Sequence, residues 1–370
     1  MNKRKIIVFH PALAPYRIDF FNDLYKEFDA EIFFLKNNLH SQKFDSNKLL
    51  CQLNFKPKYI TTGFELKHKN RIIRFGYLYK IIKFKPKIIL CWEFNPITII
   101  ILLFAKLFLC NTKVYTMCDD SLDVAINCST FRSLARTICI KYLDGIIFGN
   151  DAAKNWYITN YNNIRAVVFP IIQKEERIFE IIKNTDYTSN VYINKFDLKD
   201  KDVLLFVGRL VDVKNLNFLI EVFSDYVLLN KNARLILVGD GDKKNELKNL
   251  VLNLNIQDYV LFTGRYENEE LYAWYKIADY FILPSTSETF GAVVNEALIA
   301  GLPVLCSNLA GASCLITSDN GICFDPFNKK DLLNIFKYNI KKRNKLTVNN
   351  SKMPYSYHEK ITELICFLKE

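Results

Sequence analysis

The sequence predicts two Rossmann-like, doubly wound α/β domains, each built on a parallel sheet and facing the other across a cleft. Three observations lead to this prediction. At 370 residues the chain is longer than one hydrophobic core usually supports. Short, uninterrupted apolar runs alternate with helical patterns, as in parallel sheets covered by helices on both faces. The alternation lapses once, in the polar stretch between residues 173 and 201.

The first half contains six apolar runs that we predict as strands, separated by helical patterns such as 71–84 and 130–143. In chain order the strands are residues 5–10, 30–35, 88–92, 113–117, 145–149 and 165–169. The longest apolar stretch, 96–110, has about 15 residues and contains Lys106. A membrane span needs roughly 20 residues, so we predict a mostly buried helix there.

The second half resumes the same alternation after the polar stretch. Its predicted strands are residues 203–207, 234–238, 259–262, 280–283 and 303–306. We therefore predict an N-terminal domain at 1–172, a linker at 173–200 and a C-terminal domain at 201–345. Residues 346–370 are predicted to hold a C-terminal helix that packs back towards the N-terminal domain. Ligands bind beyond the carboxyl ends of parallel strands, so the cleft is the predicted site.

Charge and cysteine content narrow the possible partners and compartment. A formal charge of +11 suggests phosphates, anionic lipid headgroups or nucleic acid. The basic residues form no compact arginine block or aromatic–basic stripe, which disfavours nucleic acid. No two of the ten cysteines are three residues apart, so they are predicted as small buried side chains in a reducing cytosol. The apolar run after the basic start is too short for a signal peptide, which favours a cytoplasmic location.

Two predicted strand ends in the second half carry cations beside glycines. Gly208 and Arg209 follow the strand at 203–207, and Lys214 comes shortly after them. Two cations at this edge suit a diphosphate, because arginine binds bidentately and lysine acts as a point charge. Solvent-facing cations at the start of a helix are the alternative. Arg265 and Tyr266 follow the strand at 259–262 and could form part of a wall for a nucleotide base.

The stretch from 285 to 304 places two glutamates around the start of a predicted helix. Gly291 precedes the helix, and the amides of Phe290, Gly291 and Ala292 would form an anion site. Glu288 lies outside the helix and Glu296 within its first turns, so they should face different hydroxyls of one ligand, on a sugar and a ribose. A capping acid with an exposed helix acid is the alternative, and a glycosidase carboxylate pair is disfavoured by the phosphate-friendly surroundings.

Short motifs run in order across roughly residues 203–335, and together they identify a family. They are Val207-Gly208-Arg209-Leu210 with Lys214-Asn215, Val238-Gly239-Asp240-Gly241, Phe262-Thr263-Gly264, Pro284-Ser285, Glu288-x-Phe290-Gly291-x4-Glu296-Ala297, Gly301-x-Pro303-Val304 and Gly321-x3-Asp325-Pro326. This ordered set resembles the retaining GT-B glycosyltransferases of the group 1 (family four) type.

The resemblance implies a UDP- or GDP-linked sugar as co-substrate, held mainly by the C-terminal domain. Arg209 and Lys214 would bind and neutralise the leaving diphosphate. Glu288 would contact the donor sugar, the backbone at 290–292 would contact sugar and phosphates, and Glu296 would take the ribose hydroxyls. The family needs no metal or other cofactor, which agrees with two fixed cations in the place of a metal.

The first half resembles the family more weakly. Pro11-x3-Pro15-Tyr16-Arg17 is similar to the loop of one subgroup that faces donor or acceptor. We therefore predict an acceptor side built from His10, Tyr16, Arg17 and Glu93. Many members carry a histidine after the strand corresponding to 113–117, but this chain has Asp119 and Asp120 there. Asp119 is the predicted replacement. Asp120, or no residue at all, is the alternative, because the leaving phosphate can accept the acceptor's proton.

The predicted function is transfer of a sugar, with retention of anomeric configuration, to a glycan or lipid-linked acceptor in cell-surface polysaccharide synthesis. The alternatives are a nucleotide-sugar epimerase and a nucleotide-sugar-binding protein on the same architecture. An anionic membrane surface is a further predicted partner, on the inner face of the membrane. The basic and aromatic residues predicted to rest on it are Phe20, Phe21, Phe33, Phe34, Lys83, Phe84 and Lys85.

Overall fold

The chain divides into two compact units of similar size. A computed structural model describes residues 3–36, 46–66, 71–340 and 351–370. The first unit comprises Met1–Ile172 together with Tyr357–Glu370, and the second comprises Gln173–Ser356. Each unit contains one parallel sheet with helices on its faces, so the predicted pair of doubly wound α/β domains is confirmed.

The first unit is built on a seven-stranded parallel sheet with the order β3-β2-β1-β6-β7-β8-β9. Its strands are β1 (Lys5–Ala12), β2 (Asp29–Lys36), β3 (Lys58–Tyr59), β6 (Ile88–Trp92), β7 (Lys113–Cys118), β8 (Gly145–Phe148) and β9 (Ala166–Val168). A separate antiparallel hairpin is formed by β4 (Gly63–Leu66) and β5 (Arg71–Arg74). The central strands are buried almost throughout because helices cover both of their faces.

The helices of the first unit cover the two faces of this sheet. They are α1 (Ile18–Glu27), α2 (Ser46–Leu50), α3 (Tyr77–Phe84), α4 (Pro96–Phe108), α5 (Leu122–Ile126), α6 (Thr130–Tyr142), α7 (Asp151–Asn160) and α15 (Tyr357–Lys369). Helices α3 to α7 share one core with the sheet. Helices α1 and α15 pack against each other on the opposite face. The four phenylalanines predicted to face a membrane, Phe20, Phe21, Phe33 and Phe34, are all buried, so that part of the prediction is wrong.

Two helices differ from their prediction. The pattern at 71–84 is helical only from Tyr77, because Arg71–Arg74 pairs with β4 in the hairpin. The apolar stretch at 96–110 forms α4, where Asn95 caps the amides of Ile97 and Thr98. Only one face of α4 is buried, so the expectation of a mostly buried helix fails for its outer face. Within the described residues, no helix is both long and apolar enough to cross a membrane.

The second unit is built on a six-stranded parallel sheet with the order β12-β11-β10-β13-β14-β15. Its strands are β10 (Asp202–Val207), β11 (Ala233–Val238), β12 (Val260–Gly264), β13 (Tyr280–Leu283), β14 (Val304–Ser307) and β15 (Gly321–Phe324). Its helices are α8 (Glu175–Lys183), α9 (Asp186–Lys195), α10 (Leu216–Leu229), α11 (Lys244–Asn253), α12 (Asn268–Ile277), α13 (Ala292–Ile299) and α14 (Lys329–Asn339).

The stretch predicted as a linker, residues 173–200, contains α8 and α9 instead. Both helices pack on α12, and Tyr192 stacks on Trp274 with ring centroids 4.6 Å apart. The stretch is polar because these helices bury only a few residues each and expose the rest. The cysteine prediction is also only partly right. Cys91, Cys118, Cys139 and Cys306 are buried, whereas Cys51, Cys110, Cys323 and Cys366 are exposed.

Helix α15 packs on the first unit through several buried side chains, among them Phe367. The Phe367 ring lies 5.5 Å from the Tyr115 ring, measured between centroids, and the Arg165 guanidinium lies 4.6 Å from the Phe367 centroid. Arg165 also donates to the carbonyl of Phe367 (3.2 Å). The last helix of the chain therefore completes the core of the first unit.

We expect Phe367→Ala to lower the free energy of unfolding of the first unit by about 3 kcal/mol, because it leaves a cavity beside Tyr115. The measurement is a thermal melt followed by circular dichroism. Phe327→Ala is the matched control, since that ring is 68% exposed in the second unit. An equal shift for both variants would contradict the role assigned to Phe367.

Candidate functional site

Three strand-end loops of the second sheet lie side by side at its carboxyl edge. Gly208, directly after β10, donates its amide to Val238 (3.0 Å), and Gly239, directly after β11, donates to Gly264 (2.8 Å). Gly239 has φ +151°, and a Cβ added there would lie 1.8 Å from the Gly208 carbonyl oxygen. Only glycine fits this contact. The three glycine-containing motifs at the ends of β10, β11 and β12 are therefore in direct backbone contact.

Lys214 and Glu288 form an ion pair at this edge. Lys214 ends a short 3₁₀ turn after β10, and its Nζ contacts Glu288 Oε2. Both side chains are largely buried, with 11% and 21% exposure. The amide of Thr286 donates to the carbonyl of Val213 (3.0 Å), which joins the two loops. The structure thus brings together two predicted site residues that are 74 positions apart.

Arg209 lies in the same loop after β10 as Lys214 and is exposed. Its side chain makes no hydrogen bond or ion pair with any residue that the structure describes. Glu288 Oε1 likewise has no hydrogen-bond partner among the described residues, because Lys214 contacts only Oε2. A cation and an acceptor oxygen are therefore both available to a ligand at this edge of the sheet.

The loop that carries Glu288 is fixed by backbone hydrogen bonds to the segment that follows β14. Gly311 donates to the carbonyl of Glu288 (3.0 Å), and Ala312 donates to that of Phe290 (2.7 Å). Gly291 has φ +98°, a left-handed conformation that places it immediately before α13. No side chain caps α13. Its first-turn amides and its dipole therefore favour a negatively charged ligand, as the sequence predicts for 290–292.

Glu296 is held by two side chains that the sequence did not indicate. The Tyr275 hydroxyl donates to Oε2 (3.0 Å), and Gln173 Nε2 donates to Oε1 (3.3 Å). Arg177 in turn donates to Gln173 Oε1 (2.7 Å). Burial raises the pKa of Glu296. Each carboxylate oxygen can accept a second hydrogen bond, and the contact with ribose hydroxyls stays a prediction.

Arg265 and Tyr266 follow β12, as predicted. Arg265 forms an ion pair with Glu267 (2.6 Å). The ring of Tyr266 packs in an aromatic cluster with Tyr192 and Trp274, at centroid distances of 5.7 and 6.2 Å. Their predicted role in binding a base stays a prediction.

Arg17 and Asp119 form a salt bridge at the carboxyl edge of the first sheet. One terminal nitrogen of Arg17 donates to both Asp119 oxygens (2.7 and 2.9 Å), and Arg17 is buried. The bridge orients both side chains at this edge, and the catalytic role of Asp119 stays a prediction. Tyr16 lies in the short 3₁₀ turn that also contains Arg17.

His10, at the end of β1, is buried and neutral. Burial, aided by the Arg17 charge, lowers its pKa to about 4. The ring must donate from Nδ1 to the Ala12 carbonyl (2.9 Å), because a carbonyl only accepts, so the other ring nitrogen is unprotonated. The rings of Phe21 and Trp92 surround it. His10 can therefore accept a hydrogen bond at this position but carries no charge at pH 7.

Glu93 and Asp120 share one guanidinium beside this edge. Arg132 donates to Glu93 Oε2 (2.6 Å) and to Asp120 Oδ1 (2.5 Å), and the Tyr157 hydroxyl donates to Asp120 Oδ2 (2.9 Å). Glu93 adopts φ +58°, an uncommon conformation for this residue type. Burial and the neighbouring Asp120 charge raise the pKa of Glu93, despite the nearby Arg132.

The same carboxylates, together with Cys118, are close enough to be metal ligands. Arg132 already bridges both carboxylates, so a cation is present between them. Burial also raises the pKa of the Cys118 thiol well above its ordinary value. This disfavours the thiolate, which is the form that binds metals. The arrangement fits an arginine-neutralised acid pair better than a metal centre.

We expect Arg132→Met to destabilise the first unit in a pH-dependent way. The raised pKa of Glu93 means that the folded state holds its proton more tightly than the unfolded chain, so stability falls as pH rises above the ordinary glutamate range. Removing the cation steepens this fall. Relative to wild type, we expect a small loss at pH 5 and about 3 kcal/mol at pH 8.

Thermal melts at the two pH values test this. Adding Glu93→Gln to the Arg132→Met variant removes one of the two carboxylates and should flatten the pH dependence again. The same loss at pH 5 and pH 8 would show that Arg132 acts through packing rather than by neutralising the acids.

Comparison with known proteins adds independent findings. Residues 189–352 match the family model described as glycosyl transferases group 1. An uncharacterized glycosyltransferase of Methanocaldococcus jannaschii is 37% identical over 130 residues, which is 35% of this chain and 33% of that protein. The alpha-monoglucosyldiacylglycerol synthase of Streptococcus pneumoniae is 38% identical over 113 residues, 30% of this chain and 26% of that protein. The chain thus spans a third or less of these relatives' length.

Solved structures resemble the chain over its full length. The structure of HepE of Anabaena in complex with UDP has a TM-score of 0.76 and 16% identity, with 99% of both chains covered. A glycosyltransferase of Rickettsia africae has a TM-score of 0.68 and 18% identity, with 99% of this chain and 93% of that chain covered. At these identities the likeness concerns the fold, which is the GT-B architecture.

Proposed function

We propose that this protein transfers a sugar from a nucleotide-sugar donor to a glycan or lipid-linked acceptor, because residues 189–352 match the family model of the group 1 glycosyl transferases. The proposed transfer retains the anomeric configuration, needs no metal and serves cell-surface polysaccharide synthesis. It takes place in the cytoplasm, at the inner face of the membrane.

The observation that carries this proposal is the Lys214–Glu288 pair at the carboxyl edge of the second sheet. The same edge also offers the exposed Arg209 and the uncapped start of α13. Within the pair, Glu288 Oε1 has no partner among the described residues. Cations and helix amides suit a diphosphate, and a carboxylate oxygen suits the hydroxyls of a sugar. One ligand that contains both groups is a nucleotide sugar.

The chemistry of the transfer can be assigned to these groups. The bond from the anomeric carbon to the diphosphate oxygen breaks, and the leaving oxygen keeps the electron pair. An acceptor hydroxyl oxygen bonds to the same carbon from the face that the diphosphate leaves, and its proton passes to a phosphate oxygen. Arg209 and Lys214 stabilise the charge that develops on the leaving diphosphate, which is the work a metal would otherwise do.

The donor and acceptor classes are supported by the names of similar proteins. Structures of HepE contain UDP and UDP-glucose, which supports a uridine nucleotide as the donor's leaving group. Two relatives are named alpha-monoglucosyldiacylglycerol synthase, which supports a lipid-linked acceptor. A further structural neighbour is a lipopolysaccharide outer core galactosyltransferase, which supports a role in surface polysaccharide synthesis.

We expect Lys214→Ala and Glu288→Ala each to slow UDP release from a UDP-sugar by about a hundredfold or more, because each removes a charge aimed at the reacting groups. The assay contains an acceptor extract and a metal chelator. Lys248→Ala and Asp225→Ala are the matched controls, because both residues are exposed, on α11 and α10, and lie outside the motif loops.

Unchanged rates in both site variants would overturn the site assignment. Conversion of the donor without any acceptor would favour an epimerase, and donor binding without turnover over every acceptor tried would favour a binding protein.

We also expect UDP to raise the melting temperature of the protein in the presence of a chelator, because a ligand that binds only the folded state stabilises it. At a concentration of about 100 times the Kd the gain is about 2.7 kcal/mol. Lys214→Ala should reduce the shift, and Lys248→Ala should keep it. A larger shift with GDP than with UDP would replace the proposed nucleotide, and no shift with either would contradict the donor site.

A further inference from the structure

Three helices of the first unit carry apolar side chains on the faces that point away from the core. Helices α3, α4 and α6 pack side by side, α4 against both others, and their inner faces share the core with the sheet. Their outer faces are apolar as well. The exposed residues are Phe75, Tyr79 and Ile82 at α3, Ile100, Leu103, Leu107 and Phe108 on α4, and Phe131, Leu134, Ile138 and Tyr142 on α6. We call these outer faces together the α3–α4–α6 face.

The spacing of these residues shows that they form stripes rather than scattered exposures. On α4 the exposed positions 100, 103 and 107 follow a helical repeat, and on α6 positions 131, 134, 138 and 142 do the same. Single exposed apolar residues are ordinary on protein surfaces, but adjacent stripes on neighbouring helices make one contiguous patch. Such a patch marks a surface that meets another apolar phase.

The charges on the α3–α4–α6 face are of one sign. None of the three helices contains an aspartate or glutamate. Lys80, Lys83, Lys85 and Lys87 lie on or directly after α3, and Lys141 lies near the end of α6. The nearby Asp144 is occupied, since it accepts from Lys106 (3.2 Å) and from the amide of Val114 (2.8 Å). The three helices therefore carry apolar and cationic side chains and no anionic side chain.

From this combination we propose that the α3–α4–α6 face docks on an anionic lipid bilayer. Apolar side chains would enter the boundary between headgroups and acyl chains, and the lysines would contact lipid phosphates. The helices would lie along the surface, because α4 has 13 residues and is about 20 Å long, less than the thickness of a hydrocarbon core. Stable peripheral binding usually requires two signals, such as an apolar anchor and a basic patch, and this face supplies both.

A second copy of the chain is the competing occupant, and charge disfavours it. A two-fold dimer would bring the same patch against itself. The lysines after α3 would then meet helices that contain no carboxylate, and like charges at an interface repel. An anionic bilayer offers an apolar phase together with the opposite charge, which a second copy does not.

The first test measures co-sedimentation of the purified protein, without donor or acceptor, with lipid vesicles. We expect binding to vesicles of phosphatidylcholine with phosphatidylglycerol at low salt, and much weaker binding to phosphatidylcholine alone or at high salt. No binding to the anionic vesicles at low salt overturns the proposal. Equal binding to both vesicle types overturns the charge component.

The second test uses a matched pair of double variants. Leu107 and Phe108 on α4 are 73% and 68% exposed, and Leu228 and Leu229 on α10 of the second unit are 71% and 62% exposed. We expect L107S/F108S to weaken vesicle binding about tenfold or more, and L228S/L229S to leave it unchanged. Because all four side chains are exposed, both variants should fold, which their melting temperatures check.

Two results on these variants overturn the proposal. Equal weakening by both double variants would mean that no particular face binds. Self-association in sedimentation velocity, lost in L107S/F108S and without vesicle binding, would assign the face to a second copy. Neither test uses sugar transfer, so their failure and a failure of the proposed function can be told apart.

Discussion

The parallel direction of every strand in the two main sheets is the constraint on which both sites depend. Parallel strands all end at one edge of their sheet. The loops that follow the strands therefore place their polar residues at that same edge. In the second unit this brings Lys214 to Glu288, although they follow β10 and β13. In the first unit it brings Glu93, after β6, to Asp119 and Asp120, after β7. An antiparallel arrangement would have divided these groups between two edges.

The two edges differ in how their charges are compensated. At the first edge the carboxylates of Asp119, Asp120 and Glu93 all have a guanidinium partner, and His10 is neutral. At the second edge Arg209 is exposed without a partner among the described residues, and α13 begins without a cap. A compensated edge suits an uncharged, hydroxyl-bearing ligand, and an edge with an exposed cation and uncapped helix amides suits a diphosphate. This difference supports the proposed acceptor role of the first unit and the proposed donor role of the second.

The sequence predicts the sheets well because their signal is local. The strands at 88–92 and 280–283 have the bounds that their apolar runs indicate, since a buried parallel strand must be apolar throughout. The sequence predicts helix at Arg71–Arg74, which is a hairpin strand, because a four-residue run is too short to distinguish the helical from the strand period. Partners from distant elements gave no signal at all. Arg132 is 39 residues from Glu93, and Gln173 is 123 residues from Glu296, so only the fold brings them together.

The outer face of α4 carries apolar residues that the core of the first unit does not explain. Its inner residues Ile101, Leu102 and Ala105 are explained by the core, but Leu103, Leu107 and Phe108 touch water and add nothing to that core. Polar residues at those positions would fold as well and would aggregate less readily. The absence of any carboxylate from α3, α4 and α6 adds a second feature that folding does not require. The exposed apolar residues and the lack of carboxylates lie on one surface, and the stability of the fold explains neither. A single partner that is both anionic and apolar would explain both.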